Sequence, residues 1–220
     1  MQPTLHHAHP WDVSPKEAVK IQRSLAGEVQ VEPLARDVKH IAGVDVSVRG
    51  DKFQTAITVL NLASLEVVDE AVWRGNVPFP YIPGLLSFRE MPAILPALEK
   101  LSIWPDVFMT DSQGLAHPRR FGLACHLGVM LDMPAFGVAK TRFIGRYKEP
   151  GLEKGSKSLL EDKGEIIGQV IRTRTNVKPV FVSLGHRVTL EDAVRLTLAS
   201  TTKYKIPEPT RLAHKLSKSS

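Results

Sequence analysis

Three acidic residues occupy positions where their chemistry needs explaining. Asp45 interrupts an apolar run, Val44-Asp45-Val46-Ser47-Val48. A strand interior disfavours Asp, and strand alternation puts Asp45 on the face of Gly43 and Ser47, opposite Val44, Val46 and Val48. Asp111 closes the short apolar run Val107-Phe108-Met109 and precedes a small-residue loop, Ser112-Gln113-Gly114-Leu115-Ala116. An acid at the mouth of an α/β sheet is a common place for chemistry, although a turn Asp can also cap the helix that follows it. Glu90 sits in a helix-like stretch between the two. If the strand ending at Asp111 pairs parallel beside the strand carrying Asp45, the two aspartates meet at one edge and Glu90 descends from its helix. Three carboxylates brought together repel, and protonation or a hard divalent cation relieves them. Magnesium suits oxygen ligands and keeps waters, one of which can become the nucleophile in phosphodiester hydrolysis. The plain alternative is three unrelated surface acids, and a mid-strand Asp45 counts against it.

The elements around these acids follow from local patterning. Ser14-Pro15-Lys16-Glu17 has the form of a capping box with Pro at the first helical position, and Gly27 stops the helix. Residues 40–48, 53–60 and 65–73 read as three strands joined by compact turns at 49–51 and 61–64, an antiparallel meander. Pro78-Phe79-Pro80-Tyr81-Ile82-Pro83-Gly84 is a stiff loop of prolines and aromatics. It reads either as a rigid connector or as a wedge that enters a base stack. A helix is predicted over 85–101, bent or divided by Pro92 and Pro96. A second is predicted over 118–131, started by Pro118. Strands are predicted over 134–138, 165–172 and 179–184, a helix from Thr189, and a short helix around 209–215. Residues 145–164, rich in Gly, Lys and Glu, read as an exposed excursion. The sum is a single α/β domain over 1–220, a mixed sheet with helices packed on it, with 1–10 expected as a loose N-terminal tail. His6, His7 and His9 in that tail could instead hold a metal.

Composition narrows the function. The chain has 220 residues, 43% hydrophobic and 24% charged, ordinary for a soluble globular domain. It has no apolar run of membrane-spanning length and no signal-peptide core, so a cytoplasmic location is expected. One cysteine, Cys125, excludes an internal disulfide and a Cys-based zinc cluster. Residues 140–220 carry 17 Lys and Arg against 8 Asp and Glu, whereas 1–139 carry 12 against 15. A basic second half suits a phosphate-bearing partner or a solubility surface. Neither a nucleophile elbow nor a P-loop occurs.

Over residues 14–216 the sequence resembles the endonuclease V family, deoxyinosine-directed repair nucleases of RNase H-like fold. The resemblance rests on Ile41-Ala42-Gly43-Val44-Asp45-Val46-Ser47, Pro80-Tyr81-Ile82-Pro83-Gly84 with Phe88-Arg89-Glu90, Asp111 through Arg120, Gly137-Val138-Ala139-Lys140, Ser183-Leu184-Gly185-His186-Arg187 and Pro209-Thr210-Arg211-Leu212-Ala213-His214. It implies an α/β fold, an RNase H-like mixed β-sheet with helices on both faces. It implies that Asp45 and Asp111 hold Mg²⁺, with Mn²⁺ as a substitute, and that Glu90 is the third acid, acting directly or through water. His214 would orient water or move a proton near the metal, and Lys140 would stand beside the scissile phosphate. Pro80, Tyr81, Ile82 and Pro83 would form the wedge that fills the gap left by a flipped base. Ser112, Gln113, Gly114 and Leu115 would read the base, largely by main-chain groups, with His117 as a pocket wall, a DNA contact or a helix-start histidine.

The partner so implied is DNA containing deoxyinosine or another deaminated base, cut by a monomer at the second phosphodiester 3′ to the lesion, leaving 3′-hydroxyl and 5′-phosphate ends. Inosine in single-stranded RNA is the alternative substrate, and a lesion-binding module with weak catalysis the alternative class. Arg119 and Arg120 read as packing or phosphate contacts, His186 and Arg187 as structural, and Cys125 and His126 as core. Two departures stand out. Ser112 replaces the family's usual Gly, where a Cβ can hinder close approach of a base, so selectivity or rate is expected to differ. Cys125 stands where Ser is common, a mild change in a core helix.

Overall fold

A computed structural model describes residues 4–35, 37–50 and 52–219. Asp51, part of the first predicted hairpin turn, lies outside the described residues, as do residues 1–3 of the expected tail. An eight-stranded sheet organises the chain: β1 (His40–Arg49), β2 (Lys52–Asn61), β3 (Val67–Asn76), β4 (Val107–Thr110), β5 (Ala135–Ala139), β6 (Lys157–Asp162), β7 (Glu165–Ile171) and β8 (Val180–His186), in the order β3-β2-β1-β4-β5-β8-β7-β6. The pairs β1–β4 and β4–β5 are parallel and the others antiparallel. The helices are α1 (Pro15–Leu25), α2 (Leu86–Leu98), α3 (Leu123–Leu131), α4 (Leu190–Ala199) and α5 (Glu208–Ser217).

Alternation along the central strands divides the core in two. Ala42, Val44, Ile57, Val59 and Phe108 pack with Met91, Ile94 and Leu98 of α2 and Leu127 and Met130 of α3. On the opposite face Ile41, Val107, Met109, Phe136 and Val182 pack with Ala193 and Leu196 of α4, and Leu212 of α5 joins them. β4 and β5 are buried at every position, as parallel strands covered on both faces must be. The result is the mixed sheet with helices on both faces that the resemblance implied.

Several expectations need correction. α2 is one helix, undivided by Pro92 and Pro96. The prolines sacrifice local hydrogen bonds, and burial of Phe88, Met91, Ala93, Ile94, Ala97 and Leu98 against the sheet outweighs that cost. α3 starts at Leu123 rather than Pro118, because Arg120 adopts φ 54° and Gly122 caps the helix in extended backbone. Segment 145–164 is not all excursion: its second half is β6, antiparallel to β7. α4 is capped by Thr189, the predicted start, whose hydroxyl accepts from Asp192 N–H at 3.1 Å.

The described part of the tail is anchored rather than loose. His6 N–H donates to Met130 O at 2.7 Å, and the His9 ring packs on Trp11 and His126, with its Nε2 2.7 Å from that of His126.

Candidate active site

Pairing of β1 with β4 brings the two aspartates together. The register matches Val44 with Thr110, where β4 ends, so Asp111 leaves β4 beside Asp45. The parallel pairing on which the meeting of the two aspartates was conditional is the one found.

The Gly43–Asp45–Ser47 face of β1 is covered by α5, which explains the acid in mid-strand. A Cβ on Gly43 would lie 2.0 Å from the carbonyl of Pro209, so only glycine lets the start of α5 approach so closely. Ser47 Oγ donates to Ser217 O at 2.8 Å. Between these two contacts, Asp45 Oδ2 accepts from Ser217 Oγ at 2.5 Å, and Asp45 Oδ1 lies 3.2 Å from His214 Nδ1. Ligand atoms of Asp45, Asp111 and His214 all lie within 4.8 Å of one another. Ser217 escaped notice in the sequence, although its three-residue spacing from His214 puts both on one helix face.

Glu90 enters from the α2 side. It lines a cavity of about 90 Å³ together with Val44, Asp45, Val46, Asp111 and Leu123. The residue is half-buried, but its carboxyl is desolvated. Burial first, then the charges of Asp45 and Asp111, push it up to about 8. Glu90 is not among the three residues whose ligand atoms converge, so it borders the group rather than completing it. Lys140, just past β5, ion-pairs with Asp111 through Nζ and remains partly exposed.

A hard divalent cation fits this donor set: two carboxylates and an imidazole converge, and a third carboxyl, raised by burial and by the two aspartates, borders them.

A larger cavity, about 310 Å³, adjoins the acids and shares Asp111 with the smaller one. Its lining includes Tyr81, Ile82 and Pro83, Ser112, Gln113 and His117, and Lys140 and Phe143. Tyr81 is 66% exposed, whereas Pro80 lies away from this cavity, beside Phe79 and Arg89. Ser112 does not adopt positive φ; its hydroxyl lies 2.7 Å from that of Thr110, so the backbone accommodates the Cβ. Gly114 and Leu115 turn toward β8: Gly114 N–H donates to Ser183 Oγ at 2.8 Å and Leu115 N–H to Leu184 O at 2.7 Å. Phe143, 44% exposed, was not singled out in the sequence, where nothing distinguishes it from other loop aromatics.

His117 is a buried strut. Its Nδ1 accepts from Arg119 N–H at 3.2 Å, which leaves Nε2–H to donate to Gly84 O at 3.0 Å. Desolvation and the neighbouring Arg119 lower its pKa to about 4, so it is neutral at physiological pH. Arg120 pairs with Asp162 and Glu165, and Arg187 with Asp132 and Glu32. Both therefore serve the fold. Cys125 is buried and its thiol pushed up to about 12 by burial, which makes it inert.

Parallel central strands with neighbouring carboxylates, flanked by antiparallel strands and backed by helices on both faces, define the RNase H-like class. Within that class the comparisons are specific. The family model described as endonuclease V matches residues 23–215. Endonuclease V of Dictyoglomus turgidum is 50% identical over 203 residues, covering 92% of this chain and 89% of its own. The crystal structure of endonuclease V from Streptomyces avermitilis superposes with a TM-score of 0.90 at 45% identity, covering 94% of this chain and 93% of that one. Ciona intestinalis endonuclease V, solved with a 23mer DNA containing an inosine followed by a ribo-adenosine, superposes with a TM-score of 0.82 at 27% identity, covering 94% and 97%. The chain belongs to the endonuclease V family, and is thereby a nuclease, a hydrolase of phosphodiester bonds. No helix among the described residues is long and apolar enough to cross a membrane.

Proposed function

We propose that this protein is a DNA-repair endonuclease that recognises deoxyinosine and, with Mg²⁺, hydrolyses the second phosphodiester bond 3′ to the lesion. The products are a 3′-hydroxyl and a 5′-phosphate, and the enzyme acts as a cytoplasmic monomer. The observation that carries the reading is Asp111, which walls both the acidic cavity and the 310 Å³ cavity beneath Tyr81. A base drawn into the larger space leaves its backbone close to the acids. The inosine-containing DNA bound to the Ciona relative supports the choice of lesion.

Asp45 and Asp111 would hold the cation, with Glu90 and His214 bordering it, and the cation would supply charge neutralisation and an activated water. Ser217 and His214 fix the Asp45 carboxylate. Lys140 Nζ, held at Asp111, offers a point charge to a phosphate oxygen on the open side. Extruding a base costs a few kcal/mol, and the exposed Tyr81 ring fills the vacated stack. Ser112 and Gln113, which line the cavity, would meet the base edge.

An oligonucleotide with one inosine, incubated with Mg²⁺, should be nicked once, and an adenine control should not. Tight binding without a nick would replace the reading with that of a lesion-binding module. Tyr81→Ala should weaken binding to inosine DNA by about 10-fold, in line with ~1–3 kcal/mol for a base–aromatic stack, and leave Mg²⁺ affinity unchanged. Equal affinity before and after would remove the wedge role. The ribo-adenosine after the inosine in the Ciona complex favours a second reading, cleavage of inosine in single-stranded RNA. Competition between DNA and RNA substrates separates the two.

A further inference from the structure

The loop bearing Tyr81 is held at both ends by its carbonyl oxygens. At its start, Arg89 Nη1 donates to Phe79 O at 3.1 Å while its guanidinium lies 5.0 Å over the Phe53 ring. At its end, Leu85 N–H donates to Ile82 O at 2.9 Å, closing a turn with Pro83 and Gly84 at its centre and Gly84 at φ 82°. Pro followed by a positive-φ Gly is the signature of a type II turn. A side chain at residue 84 would strain that φ and bring its Cβ within 2.8 Å of Arg119 Nη2.

The Gly84 carbonyl receives three donors. His117 Nε2 lies at 3.0 Å, Arg119 Nη2 at 2.6 Å and Gln22 Nε2 at 3.0 Å. Gln22 comes from α1, outside the sheet and its acids. It is 1% exposed, and every polar atom of its amide is committed. Nε2 also donates to Phe121 O at 3.2 Å, and Oε1 accepts from Arg119 Nε at 2.6 Å. An amide buried between two arms of a cavity and bonded to both couples their positions, since each bond left unmade there costs a desolvation penalty. Through Phe121 O and Arg119 it grips the segment after the base-facing loop, and through Gly84 O it grips the turn three residues past Tyr81. Gln22 also stands one residue before the span that the family model matches.

We propose that Gln22 is a positioning residue for lesion selectivity: it sets the height of the Tyr81 tip over the 310 Å³ cavity by clamping the Gly84 carbonyl to Arg119 and Phe121. The selectivity part rests on the proposed deoxyinosine activity; the clamp itself does not. Gln22→Met removes the amide while keeping the volume. Gln22→Glu keeps an acceptor for Arg119 Nε and replaces the donor to Gly84 O and Phe121 O with a carboxylate oxygen that repels both. The two variants thus break the same contacts by different means, and unchanged exchange at 107–111 guards against a simple folding defect.

Both variants should show amide hydrogen exchange over residues 79–85 accelerated about 10-fold, with 107–111 unchanged. Both should also lower the ratio of inosine to adenine oligonucleotide binding by 5-fold or more, raising KM for inosine DNA while kcat at saturation stays within 2-fold. Unchanged exchange at 79–85 would overturn the clamp. Faster exchange with an unchanged selectivity ratio would overturn the positioning role. Wild-type protein that does not distinguish inosine from adenine would overturn the proposed function and the selectivity role together, while the exchange measurement would still decide the clamp.

Discussion

Asp111→Asn should abolish nicking while the protein still folds and still binds inosine DNA. The carboxylate lines both cavities, which otherwise share only Leu123 among the described residues, is ion-paired with Lys140, and groups with Asp45 and His214 as a candidate cation ligand. Asparagine keeps its shape and removes its charge. A divalent cation contributes several kcal/mol of transition-state stabilisation, so its loss should reduce turnover by roughly 10³-fold or more. The same is expected of Asp45→Asn, whose carboxylate receives Ser217 Oγ and faces His214. Single-turnover kinetics at saturating enzyme separate chemistry from binding. Turnover within 10-fold of wild type in either variant would disprove the assigned cation site. Asp111→Asn also frees Lys140, so inosine DNA binding should be unchanged or tighter, which a filter-binding titration measures.

The second large effect is on stability as a function of pH. Glu90 in the folded, metal-free protein titrates at about 8, raised from 4.5 by burial and by Asp45 and Asp111. Between those values the folded state holds a proton that the unfolded state has released. Folded protein therefore binds more protons than unfolded, and stability falls as pH rises through that window. One proton amounts to at most about 1.4 kcal/mol per pH unit, or ~3 °C in Tm for a chain of this size. Metal-free protein should therefore melt lower at pH 8 than at pH 6. Mg²⁺ or Mn²⁺ favours the ionised carboxylates, so it should raise Tm more at pH 8 than at pH 6. Glu90→Gln should flatten the metal-free slope and melt higher than wild type at pH 8. A slope in Glu90→Gln equal to that of wild type would show that another group carries it.

Elements with a strong local pattern were legible in the sequence. The β1–β3 meander, the buried runs of β4 and β5, and the acid at the end of β4 follow from alternation, apolar runs and turn residues. Asp45 stood out because a carboxylate between valines contradicts its local surroundings, and α5 resolves the contradiction. Features that depend on distant parts of the chain were not legible. Pro92 and Pro96 argue locally for a break in α2, and only packing against the sheet overrides them. β6 has Leu159 exposed and little alternation, so its strand state comes from pairing with β7. Pro118 suggests a helix start, whereas the chain needs the longer loop to reach β8 and Gly84 first. Gln22 and Ser217 carry no signal of their own. A buried glutamine in an amphipathic helix and a serine near a helix end gain meaning only from the partners that the tertiary fold supplies.

The docking of α5 on β1 has a consequence for how the protein is made. His214 and Ser217 stand 169 and 172 positions away from the aspartate they hold. A nascent chain that has emerged as far as β8 already carries Asp45, Glu90, Asp111 and Lys140, on strands that can pair. It lacks the helix that seats on Gly43 and orients Asp45. Synthesis thus delivers the sheet first and the helix that contacts Asp45 only afterwards, so a chain ending before α5 should lack nuclease activity. Premature termination anywhere before α5 leaves a nuclease fold in which Asp45 lacks its His214 and Ser217 partners.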